Sequence, residues 1–130
     1  MKKLSILFLG LCISFVAMSQ AVIEFESIEH DFGKIYEKDG DVFHDFKFTN
    51  VGDSALVISN VKATCGCTTP SWTRTPMEQG EGGKITVKYS TVNRPGSFTK
   101  VITVTTNGSE DNAKRLIIRG EVIPKEEEKR

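Results

Sequence analysis

The chain has 130 residues, and its 17 Lys and Arg side chains balance 17 Asp and Glu side chains, so its formal net charge is zero. This length supports one domain with a modest hydrophobic core. Nucleic acids and anionic membrane surfaces call for a concentrated basic face, whereas both signs of charge are spread along this sequence. We therefore expect no nucleic-acid partner.

Residues 1–19 have the pattern of a secretory signal peptide. Two lysines precede an uncharged run over residues 4–17, and the small-x-small triplet at residues 17–19 predicts cleavage before Gln20. The run is shorter than the roughly 20 residues of a transmembrane helix, so we expect no membrane insertion after signal removal. Cys12 lies inside the run and would be discarded with it. The mature chain would be periplasmic or secreted.

Residues 20–124 carry period-2 patterning, which predicts strands throughout. In the clearest segment, Val42, His44, Phe46 and Phe48 alternate with polar residues. Turn signals about every ten residues separate similar segments, and together they predict an all-β, immunoglobulin-like β-sandwich of about seven antiparallel strands. The predicted segments are residues 22–25, 32–36, 42–49, 56–63, 85–89, 98–104 and 116–122. The charged residues 125–130 predict a disordered tail.

Cys65 and Cys67 are the cysteines expected to remain in the mature chain. On an extended strand their side chains would be roughly 7 Å apart, whereas a disulfide needs about 4 Å, so a bond requires a bend that Gly66 permits. Such a small loop would add only roughly 1.6 kcal/mol of stability. The pair is therefore either a structural element, a redox couple, a soft-metal site for copper(I) or a link to a partner's cysteine.

Residues 68–79 form the one long stretch without a clean strand pattern. Loops held on a rigid scaffold often carry binding residues, and aromatic and arginine side chains are enriched at interfaces. We predict a binding surface in this loop, carried by Trp72, Arg74 and Met77. His44 shares a strand face with phenylalanines, so we expect it to lie at the rim of the core rather than to act as a ligand.

Several short motifs follow one another in the order seen in a known family. They are residues 30–35 (HDFGKI), 46–52 (FKFTNVG), 65–68 (CGCT), 80–83 (GEGG), 96–98 (GSF) and 106–107 (TN). From about Phe25 to Val122 the chain resembles Domain of Unknown Function 1573, found widely in bacteria including the Bacteroidota. That family is similar in turn to immunoglobulin-like domains of the Hydin and major sperm protein type, which act as interaction modules. The resemblance implies a fold and an exported setting, without a reaction, substrate or catalytic residue.

These observations favour an exported, non-enzymatic immunoglobulin-like module that binds a protein partner or supports an envelope assembly, with no cofactor. The alternative is a small thiol-redox or copper(I)-binding protein that acts through Cys65 and Cys67.

Overall fold

Two four-stranded sheets pack face to face in the computed structural model, which describes residues 12–108 and 113–125. One sheet has the strand order β1-β3-β6-β5 and the other β2-β8-β7-β4. Within the described residues the strands are β1 (Ile23–Phe25), β2 (Glu29–Tyr36), β3 (Val42–Asn50), β4 (Ile58–Ala63), β5 (Thr68–Trp72), β6 (Gly82–Tyr89), β7 (Gly96–Thr106) and β8 (Ala113–Ile123). The predicted all-β sandwich is confirmed.

Two features of the topology differ from the sequence-based prediction. Thr68–Trp72, expected as loop, is an eighth strand that pairs with β6 at the edge of its sheet, where Pro70 is tolerated because an edge strand can lack one N–H donor. The strands are also not all antiparallel, since β2 runs parallel to β8. Most of the chain lies between these two strands, so no tight turn sets their relative direction.

The core lies between the inner faces of the two sheets, where alternate residues of each strand meet. Phe46 and Phe48 are 1% and 2% exposed, whereas Phe43 on the opposite face of β3 is 62% exposed. Tyr89 and Phe98 stack across the sandwich with ring centroids 3.9 Å apart. The alternation read from the sequence of β3 therefore gives the correct inner face.

A buried asparagine organises one end of the sandwich. Asn50 is fully buried, and its side-chain nitrogen donates to the backbone oxygens of Ser54 at 2.8 Å and Met77 at 2.9 Å. Its side-chain oxygen accepts from the backbone N–H groups of Gly52 at 3.0 Å and Val22 at 3.3 Å. One side chain thus joins the β3–β4 turn, the loop before β6 and the segment that leads into β1.

The ends of the chain are only partly described. Residues 1–11 of the predicted signal peptide and residues 126–130 of the predicted tail lie outside the described residues. Residues 12–19 are exposed and have no regular secondary structure. Within the described residues, no helix is long and apolar enough to cross a membrane.

Candidate functional site

A disulfide joins Cys65 and Cys67 in the turn between β4 and β5, with the two Cα atoms 5.3 Å apart. Cys67 is 2% exposed and its backbone oxygen accepts from Ser90, whereas Cys65 is half-buried. The Thr68 hydroxyl lies 3.9 Å from the Cys65 sulfur and 3.7 Å from the Cys67 sulfur. The bond therefore fixes the corner at which the chain leaves one sheet and starts the edge strand of the other.

The disulfide also bears on the predicted metal chemistry. Copper(I) binds thiolates, and a sulfur in a disulfide is not one. The described residues contain no group of three or more His, Cys, Asp or Glu side chains that could hold a metal ion. A thioether can also bind copper(I), but Met77 packs against Gly83 at the far end of β6 from the disulfide, roughly 20 Å away along the strand.

Trp72 and Arg74 lie together at the other end of β5. Trp72 pairs with Ile85, so its ring turns toward the core side of the edge strand and remains half-buried. The Arg74 guanidinium lies 4.0 Å from the centroid of that ring on the exposed side, in cation–π geometry. The strand places this pair about four residues, roughly 13 Å, from the disulfide. The structure thus brings Trp72 close to Arg74, and Cys65 close to Cys67. The two pairs lie at opposite ends of β5.

A shallow cavity of about 240 Å³ opens beside the tryptophan. Two of its lining residues contact Asp45 of the neighbouring strand β3: the carboxylate accepts from the Thr86 hydroxyl at 2.6 Å and pairs with Lys84 at 3.5 Å. The Thr86 hydrogen bond is the main reason that the pKa of Asp45 lies below its usual value; burial opposes this effect, and the charge and hydrogen bond of Lys84 add to the lowering. We call this region the Trp72 surface; it comprises Ser71, Trp72, Thr73, Arg74, Lys84 and Thr86.

Met77 does not belong to this surface. Its side chain is 3% exposed within the core, and its backbone pairs with Leu56 through N–O distances of 2.8 and 2.9 Å. The prediction that Met77 contacts a partner is therefore wrong for its side chain. An unbranched thioether fits an irregular gap well, and an isolated apolar residue in a polar loop is a signal for such anchoring.

Two histidines from different sheets stack on each other, an arrangement that sequence reasoning missed. His30 of β2 and His44 of β3 have ring centroids 3.7 Å apart and an angle of 8° between their planes. Phe32 meets His30 edge-on and Phe46 meets His44 edge-on. Burial, and then the neighbouring His30, lower the pKa of His44, while Asp45 opposes the shift. His44 lies at the rim of the core, as predicted, and its partner is 14 residues away in sequence.

This histidine stack should make the protein less stable in mild acid. Because the pKa of His44 is lower in the folded chain, the unfolded chain binds more protons, and stability falls as the pH drops through about 6.5. We expect a loss of roughly half a kcal/mol, since solvent screens a partly exposed ring. Urea unfolding at about pH 7.5 and about pH 5.5 measures it. The H44F variant should lose less between the two pH values than wild type, and equal losses would contradict this origin.

Comparison with known proteins identifies a family match and structures with a similar fold. A family model described as "Protein of unknown function (DUF1573)" matches residues 23–122. No curated protein matches the chain significantly. A protein of unknown function from Porphyromonas gingivalis W83 superposes with a TM-score of 0.70 at 18% identity, over 83% of this chain and 51% of that one. The chain therefore spans about half the length of that protein.

Two further solved structures share the fold. PapD-like domain 7 of human CEP192 gives a TM-score of 0.63 at 11% identity, over 81% of this chain and 87% of that one. The periplasmic chaperone SfaE gives 0.51 at 10% identity, over 80% and 58%. At these identities the likeness concerns the fold alone, and it confirms the predicted immunoglobulin-like sandwich.

Proposed function

Because the chain belongs to the DUF1573 family, which is described only as a protein of unknown function, we propose its role from its geometry: it is an exported, non-enzymatic module that binds a protein partner through the Trp72 surface. The observation that carries this proposal is the half-buried Trp72 with Arg74 stacked on its exposed side at the end of an edge strand. Tryptophan and arginine are the residues most enriched among those that dominate binding energy. A PapD-like domain and a periplasmic chaperone use the same kind of fold.

Export supports the same proposal. The sequence of residues 1–19 has the features of a signal peptide, and we place the mature protein in the periplasm or the medium. A disulfide such as Cys65–Cys67 persists in oxidising compartments outside the cytosol. Residues 12–19 lie exposed outside the sandwich, so their removal would not disturb its core.

Charge on the Trp72 surface indicates which partner chemistry fits it. Lys84 is paired with Asp45, whereas Arg74 makes no ion pair within the described residues. Arg74 therefore offers free guanidinium N–H donors beside an aromatic ring. This combination suits an apolar side chain flanked by a carboxylate on the partner, because a guanidinium can bind a carboxylate through two hydrogen bonds.

Charge reversal at Arg74 tests the proposal. R74E leaves Trp72 in place but inverts the charge on its exposed side, and we expect capture of the partner from crosslinked native envelopes to fall at least about tenfold. K62E is the matched control, because Lys62 is exposed on the neighbouring edge strand β4. Equal capture by wild type, R74E and K62E would refute the Trp72 surface as the binding site.

A spectroscopic readout confirms contact directly. Trp72 is the only tryptophan of the chain, so its fluorescence reports on this surface without interference. Titration of the purified protein with the captured partner should shift the emission of wild type, and R74E should need a correspondingly higher partner concentration. W72F serves as the blank for this signal.

The disulfide favours a second candidate, a thiol-redox protein, because Cys65 is half-buried rather than fully enclosed. The two candidates predict different results for the C65S/C67S double variant. A binding module keeps its partner when both sulfurs are replaced, since the Trp72 surface lies at the other end of β5. A redox protein loses all function in the same variant.

A further inference from the structure

The boundary between exposed and docked backbone falls at the predicted cleavage point. Residues 12–19 are exposed, whereas Gln20 is half-buried and Ala21 is only 5% exposed. From Gln20 onward the chain therefore belongs to the folded domain.

Gln20 is held by the turn between β3 and β4. Its backbone nitrogen donates to Asp53 Oδ1 at 2.7 Å, and its carbonyl accepts from the backbone N–H groups of Asp53 at 3.0 Å and Ser54 at 3.3 Å. Gly52 makes this docking possible, because a Cβ there would collide with the Gln20 carbonyl oxygen and lie 2.5 Å from the nitrogen of Val22. The site is thus shaped around the backbone of Gln20.

We propose that Asp53 is a receptor for the new N-terminus. Hydrolysis of the Ser19–Gln20 peptide bond consumes one water, leaves a carboxylate on Ser19 and leaves on Gln20 an α-ammonium that forms an ion pair with the Asp53 carboxylate. This inference rests on the export part of the proposed function. Before cleavage, Ser19 also contacts Asp53, with its hydroxyl 3.3 Å from Oδ1, and cleavage removes that contact. The ammonium has three donors and a positive charge where the amide had one donor, so it can take over both bonds.

The pKa of Asp53 is consistent with this role. The backbone N–H of Gln20, and then the Ser19 hydroxyl, hold the pKa of Asp53 below its usual value. Asp53 is thus ionised at neutral pH in the uncleaved chain. An α-amine has an ordinary pKa of about 7.7–8.0, so it is largely protonated at neutral pH, and the carboxylate favours that form further.

The ion pair should protect the mature protein from a specific modification. An N-terminal glutamine cyclises when its unprotonated α-amine attacks the side-chain carboxamide carbon; the C–N bond of the carboxamide breaks, ammonia leaves and a five-membered lactam forms. Asp53 opposes this reaction in two ways, because it keeps the amine protonated and holds it on the β3–β4 turn. We therefore expect slow lactam formation at Gln20.

The experiment follows the processed protein by mass. The full chain is expressed with export, purified from the envelope, sequenced at its N-terminus and incubated in mildly alkaline buffer while the loss of ammonia is measured. D53N keeps the side-chain oxygen acceptor but removes the charge, and it should cyclise about two- to fivefold faster than wild type. E24Q removes one negative charge from an exposed position on β1 and should behave as wild type. Added salt should speed cyclisation of wild type but not of D53N.

The outcomes separate the two proposals. If the first residue is Gln20 and D53N cyclises no faster than wild type, or wild type arrives already cyclised, the receptor role of Asp53 is wrong while export stands. If the chain keeps residues 1–19 or begins elsewhere, both the predicted cleavage and the receptor role are wrong. Partner capture by the Trp72 surface is measured separately and depends on neither result.

Discussion

Truncation of Phe46 to alanine should lower the free energy of unfolding by about 3–5 kcal/mol. The side chain is 1% exposed and its ring meets His44 edge-on at 4.7 Å, so the variant leaves a cavity between the two sheets as well as losing apolar burial. Such a loss is a large share of the roughly 5–15 kcal/mol that stabilises a domain of this kind. Urea unfolding followed by circular dichroism measures it.

The same substitution on the other face of the strand provides the control. Phe43 also lies on β3, but it is 62% exposed, and F43A should change the unfolding free energy by no more than about 0.5 kcal/mol. Similar losses of unfolding free energy in F46A and F43A would contradict the structure, in which β3 turns Phe46 toward the core and Phe43 toward the solvent.

Replacement of Asn50 by leucine should destabilise the protein by about 3 kcal/mol or more, despite the gain in apolar character. Asn50 serves four backbone groups, and its removal leaves the N–H of Gly52 without its partner in a buried site. The N–H of Val22 and the carbonyl of Ser54 lose the same partner in part-buried sites, while the carbonyl of Met77 keeps its bond from the N–H of Leu56. Each buried polar group left unsatisfied costs about 1–3 kcal/mol. Urea unfolding under the same conditions as for F46A gives the value.

An exposed asparagine is the reference for that substitution. Asn60 lies on the solvent side of β4, and N60L should leave the unfolding free energy within about 0.5 kcal/mol of wild type. If N50L were as stable as N60L, the hydrogen bonds of Asn50 would make no net contribution to the free energy of unfolding. In that case the end of the sandwich would be held by apolar packing alone.

Most strands of this fold can be predicted from the sequence, because apolar and polar residues alternate along a strand that is buried on one face only. Phe46 and Phe48 could be assigned to the inner face from the alternation alone, and the structure confirms that assignment. Strand β5 was missed because it is short, contains Pro70 and lies at a sheet edge, where fewer residues need to be apolar. The parallel direction of β2 depends on a partner near the other end of the chain, and no local pattern encodes it.

Site residues could be predicted only where a residue type has a strong chemical preference. The close spacing of Cys65 and Cys67 indicates a functional or structural pair, and in the structure a disulfide joins them. The prediction for Met77 fails because composition alone does not distinguish an exposed loop residue from a loop residue whose side chain packs in the core. The stack of His30 on His44 joins two sheets, so only the three-dimensional arrangement reveals it.

The pairing of β2 with β8 affects how the protein assembles during its synthesis. Among the strands of the described residues, β2 has β8 as its only neighbour in its sheet, and β8 is the last of these strands in chain order. A chain that emerges from the ribosome with its N-terminus first therefore carries β2 as an unpaired edge until β8 has also emerged, and such edges invite aggregation. Long-range pairing of this kind also slows folding, because a large loop must close before the contact forms. This sheet therefore closes only after every one of its four strands has been made.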